Sequence, residues 1–310
     1  MTQKEGLSGI LKEEMAKEEI TLKKIENFIR DSVERFKKDG VMIGLSGGID
    51  SSVVASLLVR ALGKDRVFGL IMPEKESSSE NIKDAGEIAE LLKIRYEKLD
   101  LTPLLGKLGV YKLVPPLIFR NKLVLTKGLE VFKKKRGTKM IHSLGILGLE
   151  TPDKISQRAT AIMLPKLRLR SLLLYYYGAL KNYLVAGTTN KTEYLLGHYD
   201  KYGDGACDIE PIRGFYKTQV KELARYLGVP EKIIKKPPTH DLFAGFILAD
   251  EAMMGESFEK VDLILGKLEK GESEENIAKV LRIETNFIKE VKKAIKNQKI
   301  SRKMPLTPQL

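Results

Sequence analysis

Cysteine is almost missing from this chain: Cys207 is the only one in 310 residues. One thiol cannot build an intramolecular disulfide framework, nor a multi-thiolate zinc or iron–sulfur site within a single chain. A reducing, cytoplasmic setting is expected. Long apolar runs are lacking as well. The most apolar stretch, 171–187, is interrupted by Lys181 and is too short to span a bilayer. The opening residues Met1-Thr2-Gln3-Lys4-Glu5 lack the basic-then-apolar plan of a secretory signal, so no membrane role is expected. Acidic residues are outnumbered, 41 against 54 Lys and Arg, which leaves a net charge of +13. The excess admits a nucleic-acid partner, an acidic small substrate or a Lys-rich solvated surface. Because Lys and Glu are both abundant, the surface reading is expected to account for most of it, and a phosphate-bearing substrate would suit it too. No internal repeat or low-complexity tract is found. No Gly-x-x-x-x-Gly-Lys-Ser/Thr string occurs, which excludes a Walker loop.

What is present describes a folding chain. Hydrophobic residues make up 43% and charged residues 31%, far from the composition of disordered proteins. The length permits one large α/β domain or two small ones, and a single domain over 1–310 is expected. Residues 6–38 carry Ile20, Leu22, Ile25, Phe28, Ile29, Val33 and Phe36 at helical spacing, which predicts an amphipathic helix that packs on the sheet or on a partner subunit. Val41-Met42-Ile43-Gly44-Leu45 reads as a buried strand, followed by a helix over 51–62 closed by Gly63. Further strands are predicted at 67–72, near 94–101 and at 183–187, with a helix after the serines Ser77 to Ser79 and a strongly apolar helix around 172–180. Strands alternating with helices call for an α/β fold with a doubly wound, mainly parallel sheet. The irregular stretch 104–165, with Pro115-Pro116 and the basic run Lys133-Lys134-Lys135-Arg136, is too long for a plain connection and is expected to be a helical insertion or a lid. Helices at 218–227, 257–270, 274–281 and 285–296 are predicted in the C-terminal third, so that 256–310 forms a helical region.

The chemistry starts at Ser46-Gly47-Gly48-Ile49-Asp50-Ser51, between the first strand and its helix. Two glycines let the backbone turn tightly, Ser46 and Ser51 offer hydroxyls, and the helix that follows presents unpaired N–H groups to an anion. Asp50 inside such a loop would repel phosphate unless a divalent cation sat between them, so Mg2+ is implied. By composition alone the same residues also read as a strand-to-helix turn with a cap.

The segment resembles the signature of the PP-loop ATP pyrophosphatases, a Rossmann-like family. Three further blocks sharpen the likeness: Gly187-Thr188-Thr189-Asn190-Lys191-Thr192-Glu193, then Lys201-Tyr202-Gly203-Asp204-Gly205-Ala206-Cys207-Asp208-Ile209-Glu210-Pro211, then Tyr216-Lys217-Thr218-Gln219-Val220. In order and spacing they resemble the ammonia-dependent NAD synthetases. The resemblance implies that nicotinate adenine dinucleotide is amidated with ATP and ammonia through an acyl-adenylate, giving NAD, AMP and pyrophosphate. It implies ATP binding by Gly44, Leu45, Ser46, Gly47, Gly48, Ile49, Asp50 and Ser51, with Thr188, Lys217 and Thr239. It places Mg2+ on Asp50 and Glu193, assigns catalytic roles to Asp50, Glu193 and Lys217, and turns Arg168, Lys201 and Asp208 toward the dinucleotide. It also implies a homodimer with substrate near the interface.

Taken singly, Glu193 and Lys201 also read as a solvated helix face, Asp208 as a turn residue, Lys217 as a surface lysine and Cys207 as a small buried residue. A glutamine-hydrolysing domain has no room in this length and no evident nucleophile, so ammonia is the expected donor. Three departures from the family pattern fall on the substrate side: Leu164 where an asparagine is usual, Ile300-Ser301-Arg302 in place of His-Lys-Arg, and Gly245-Phe246-Ile247-Leu248-Ala249-Asp250-Glu251 without the usual glutamine. His240 and Asp241 are local candidates for substrate contact. The three departures leave room for a paralogous enzyme that amidates or thiolates a different carboxylate or carbonyl, and a non-catalytic nucleotide or nucleic-acid binder is the third reading.

Overall fold

The computed structural model describes residues 3–113, 154–237 and 256–302. Helix α1 (Gln3–Arg35) leads into strand β1 (Gly40–Gly44), helix α2 (Ile49–Leu62), strand β2 (Val67–Ile71), helix α3 (Ser79–Leu91), strand β3 (Arg95–Lys98) and a short helix α4 (Thr102–Lys107). The long helix α5 (Lys154–Lys181) precedes strand β4 (Tyr183–Ala186), and helices α6 (Lys191–Leu196), α7 (Lys217–Tyr226) and α8 (Glu231–Lys235) follow. Helices α9 (Phe258–Glu269), α10 (Glu274–Leu281) and α11 (Thr285–Arg302) complete the described chain.

The strands form one parallel sheet in the order β3-β2-β1-β4, with Val41 opposite Val67 on one side and Leu184 on the other. Alternation of side chains divides the core in two. Val41, Ile43, Val67, Ile71 and Leu184 point into a core shared with α1, α2, α3 and α7. Met42, Phe68 and Leu70 point the other way, onto α5 and the segment around Leu101, Leu105 and Val110. Helices therefore cover both faces, which is why β1 and β2 read as unbroken apolar runs. The fold is the expected doubly wound α/β arrangement. β3 is the exception in composition: Arg95 to Lys98 are all exposed, as suits a short charged edge strand. It is shorter than the predicted 94–101, although the Leu99 and Leu101 N–H groups still bond the Ile71 and Pro73 carbonyls at 2.9 and 2.8 Å.

α5 departs most from expectation. The helix predicted around 172–180 begins instead at Lys154 and runs through Pro165, so the last turns of the expected 104–165 insertion belong to it. Proline removes an internal N–H and normally breaks a helix. Here the adjoining turn is anchored by charge: Lys166, 0% exposed, donates to Glu74 at 2.8 Å and to Glu76, while Tyr111 donates to the second Glu74 oxygen at 2.8 Å. Arg170, one turn on, reaches the Met72 carbonyl at 3.3 Å. These contacts fix α5 against the loop after β2. Lys166→Met leaves two carboxylates in a dry site without their cation, and is expected to destabilise the protein by about 3 kcal/mol. Urea denaturation measures it; an unchanged midpoint would contradict the anchoring role.

The C-terminal helices pack on one another through Phe258, Val261, Ile264, Ile277, Ile288 and Val291, and on α6 through Leu196. Their predicted positions hold to within a few residues, except that α11 extends to Arg302. The run Lys133 to Arg136, with Thr239, His240, Asp241 and 245–251, lies outside the described residues. Among the described residues, no helix is long and apolar enough to cross a membrane.

Candidate active site

In a sheet of order β3-β2-β1-β4 the chain winds outward in opposite directions from β1 and β4, so their carboxyl ends open a crevice at the switch point. The glycine loop leaves β1 there. Gly47 has φ +76, and a Cβ at this position would drive into the Asn81 carbonyl oxygen, so both the turn and the close approach of α3 require glycine. Gly48 caps α2. The Ser46 and Ser51 hydroxyls lie 3.0 Å apart, Ser46 Oγ accepts from the Gly48 N–H at 3.2 Å, and Ser51 Oγ donates to the Gly48 carbonyl at 3.1 Å. The loop is thus braced by its own hydroxyls, with the N-terminus of a fourteen-residue helix facing the crevice.

The segment after β4 supplies the facing wall. Asn190 caps α6 in a capping box: its side chain accepts from the Glu193 N–H at 3.0 Å, and Glu193 Oε2 accepts from the Asn190 N–H at 3.3 Å. The same Asn190 donates through Nδ2 to Asp50 at 3.0 Å, which ties α6 to α2. Lys217, the first residue of α7 and only 2% exposed, is paired with Asp50, and its Nζ lies 3.6 Å from Glu193. Two carboxylates from distant parts of the chain therefore surround one ammonium. On the other flank Lys236 donates to Asn81 Oδ1 at 2.8 Å and to the Gly47 carbonyl at 3.4 Å, and is paired with Asp84. Ser46, Asp50, Asn81, Glu193, Lys217 and Lys236 border a cavity of about 320 Å³. Leu45, Met72, Pro73 and Leu174 give it an apolar side, a division that suits a ligand with a flat base and a charged tail.

Of the residues singled out from sequence, Gly44, Leu45, Ser46, Gly48, Ile49, Asp50, Ser51, Thr188, Glu193 and Lys217 border this cavity, while Gly47 lies in the loop against α3. Arg168, Lys201 and Asp208 do not border it. Arg168 donates to the buried Asp200 at 2.8 Å, and the carboxylate holds its guanidinium above the usual range. Arg168 and Lys201 each lie 5.6 Å from the centre of the exposed Tyr202 ring. Asp208 turns back onto β4, accepting from the Val185 N–H at 2.7 Å and the Tyr175 hydroxyl at 3.1 Å. Burial and the neighbouring Glu210, 3.2 Å away, push the Cys207 thiol well above its ordinary range, which leaves it a poor nucleophile. Leu164 is half-buried on α5.

Asn190, Lys236, Asn81 and Arg170 belong to the site and were not foreseen. For Asn190 a local signal existed, the Asn-x-x-Glu spacing of a capping box; the others meet the loop only through tertiary packing. Among the described residues, no group of three or more His, Cys, Asp or Glu is arranged to hold a metal. Asp50 and Glu193 alone make a two-carboxylate pair, which fits Mg2+ when phosphate oxygens and water complete its shell.

A family model described as NAD synthase matches residues 21–111 and 150–305; the unmatched stretch between them falls inside the expected insertion. A curated protein from Thermotoga neapolitana named NH(3)-dependent NAD(+) synthetase is 44% identical over 285 residues, covering 91% of this chain and 93% of that protein. Its namesake from Methanocaldococcus jannaschii is 40% identical over 287 residues, covering 93% and 95%. A solved NH3-dependent NAD synthetase from Campylobacter jejuni, in complex with the nitrate ion, is 31% identical with a TM-score of 0.63, covering 94% of this chain and 99% of that one. An NMN synthetase from Francisella tularensis is 26% identical with a TM-score of 0.69, over the same shares.

Proposed function

Because the chain belongs to the NAD synthase family, we propose that it converts nicotinate adenine dinucleotide, ATP and ammonia to NAD, AMP and pyrophosphate. The observation that carries this reading is the convergence of the Ser46–Ser51 loop, Asp50, Glu193 and Lys217 on one cavity. A carboxylate oxygen of the acceptor attacks the α-phosphorus, the bond to the β-phosphate oxygen breaks, and pyrophosphate leaves. Ammonia then adds to the acyl carbon, loses a proton, and expels AMP, which keeps the former carboxylate oxygen.

The chain's own part is to bind and to stabilise charge. Backbone N–H groups at the start of α2 and the hydroxyls of Ser46 and Ser51 receive the phosphates. Lys217 faces the oxygens on which charge develops. Asp50 and Glu193 would hold Mg2+, which would supply neutralisation of phosphate charge. The apolar side at Met72, Pro73 and Leu174 shields the reacting groups from water.

The names of the curated relatives support ammonia as the nitrogen donor and the dinucleotide as the acceptor. Arg168, Lys201 and Tyr202 form a cationic and aromatic rim beside the cavity that suits the far end of such a molecule. A homodimer is part of this reading: Leu172, Tyr176 and Leu180, four residues apart on α5, are exposed and form an apolar stripe. Pyrophosphate release by the purified protein with ATP, Mg2+ and ammonium, against a panel of acceptors, tests it. Release is expected with nicotinate adenine dinucleotide at a far higher kcat/KM than with nicotinate mononucleotide or amino-acid carboxylates. Turnover confined to the mononucleotide or to another acid would overturn the acceptor assignment.

A further inference from the structure

On the reading that the cavity is an adenylating site, we propose that Asp262, in the C-terminal helices, is a positioning residue for Lys217. Its side chain is 6% exposed and lies on α9, outside the cavity lining. One carboxylate oxygen accepts from the Thr192 hydroxyl, and the other accepts from the Thr218 N–H at 2.9 Å. The Thr192 hydroxyl oxygen in turn accepts from the Lys217 N–H at 3.0 Å. A single buried carboxylate thus holds the first turns of both α6 and α7, one residue away from Glu193 in the first and from Lys217 in the second.

The same face of α9 meets Lys217 a second time. Phe258, one helical turn before Asp262 and fully buried, lies with its ring centre 5.5 Å from Lys217 Nζ. α9 therefore touches this lysine at both ends, through the Asp262–Thr192 relay at its backbone and through an aromatic ring at its ammonium. Burial pushes the Asp262 carboxyl above its ordinary range, the mark of an acidic group kept in a dry place by its hydrogen bonds. A buried carboxylate without its partners is costly, so the three N–H and O–H donors in this relay must stay in register with it. Lys217 reaches Asp50 across the crevice from a backbone that α9 sets, and an error of 1 Å there is worth about 10²-fold in rate.

The test is a double-mutant cycle on kcat and KM for pyrophosphate release, with thermal unfolding as a control. Asp262→Ala is expected to lower kcat by about 10²-fold, with KM for ATP changed less than about threefold. In a Lys217→Met background the same change is expected to cost less than about threefold, because its effect passes through Lys217. An equal loss in both backgrounds, or an undiminished kcat in Asp262→Ala, would overturn the role. Should Asp262→Ala fail to fold, Thr192→Val removes the relay while leaving Asp262 on Thr218. It is expected to lower kcat by about tenfold, again without effect in the Lys217→Met background, and a full rate would overturn the role. Turnover by the wild-type protein tests the activity separately. If it has none, a structure of Asp262→Ala with Lys217 still seated on Asp50 would overturn the positioning role on its own terms.

Discussion

Lys217→Met is expected to lower the rate of pyrophosphate release by about 10³-fold while KM for ATP rises less than about tenfold. Lys217 is the cation that Asp50 and Glu193 share, and it is almost sealed from solvent. A charge in so dry a place acts at a low effective dielectric, where its attraction to a developing negative charge is far stronger than in water. Binding of ATP draws on more: the loop N–H groups, Ser46 and Ser51 remain, so the loss falls on the step in which charge builds up. Methionine is chosen because it keeps the contact with Phe258 while removing only the charge. Asp50 stays bonded to Asn190 and is partly open to water, so the fold should lose no more than about 1 kcal/mol. Stopped assays of pyrophosphate and a urea melt measure the two effects. A wild-type kcat in a folded Lys217→Met protein would remove the lysine from the reaction.

Asp50→Asn is expected to cost at least about 10³-fold in turnover and to abolish Mn2+ binding measured by electron spin resonance, with Mn2+ as a probe for Mg2+. The amide has the same shape and still accepts from Asn190, so packing of the loop is preserved. What disappears is one of the two negative charges around Lys217 Nζ. With Glu193 alone, a divalent ion would have a single protein carboxylate and would be held mainly by water and phosphate. Retention of both turnover and Mn2+ binding would show that Asp50 serves the loop only as a structural residue.

How much of this was legible in the sequence depends on how local each feature is. The loop was readable because its parts are contiguous: an apolar run, two glycines, hydroxyls and a helix start lie within a dozen residues, and the structure places them as read. Glu193 and Lys217 were found only through a resemblance, since no spacing rule brings residues so far along the chain back to Asp50. Lys236, Asn81 and Asp262 left no local signal at all; each acquires its role from what packs opposite it. Pro165 shows a rule overridden: the irregular stretch was read as running up to it, whereas α5 passes through it beside the buried contacts of Lys166 with Glu74 and Glu76. Arg168, Lys201 and Asp208 were read as facing the substrate, and the structure sets them on Asp200, Tyr202 and β4, outside the cavity lining.

The carboxylate oxygen provides the most direct measurement of the chemistry. Nicotinate adenine dinucleotide labelled with 18O in its carboxylate is incubated with the protein, ATP, Mg2+ and ammonium, and the products are weighed by mass spectrometry. One labelled oxygen is expected in AMP and one in the amide of NAD, with pyrophosphate unlabelled, because the acceptor attacks the α-phosphorus and leaves an oxygen behind. Unlabelled AMP alongside newly formed NAD would contradict an acyl-adenylate at this site.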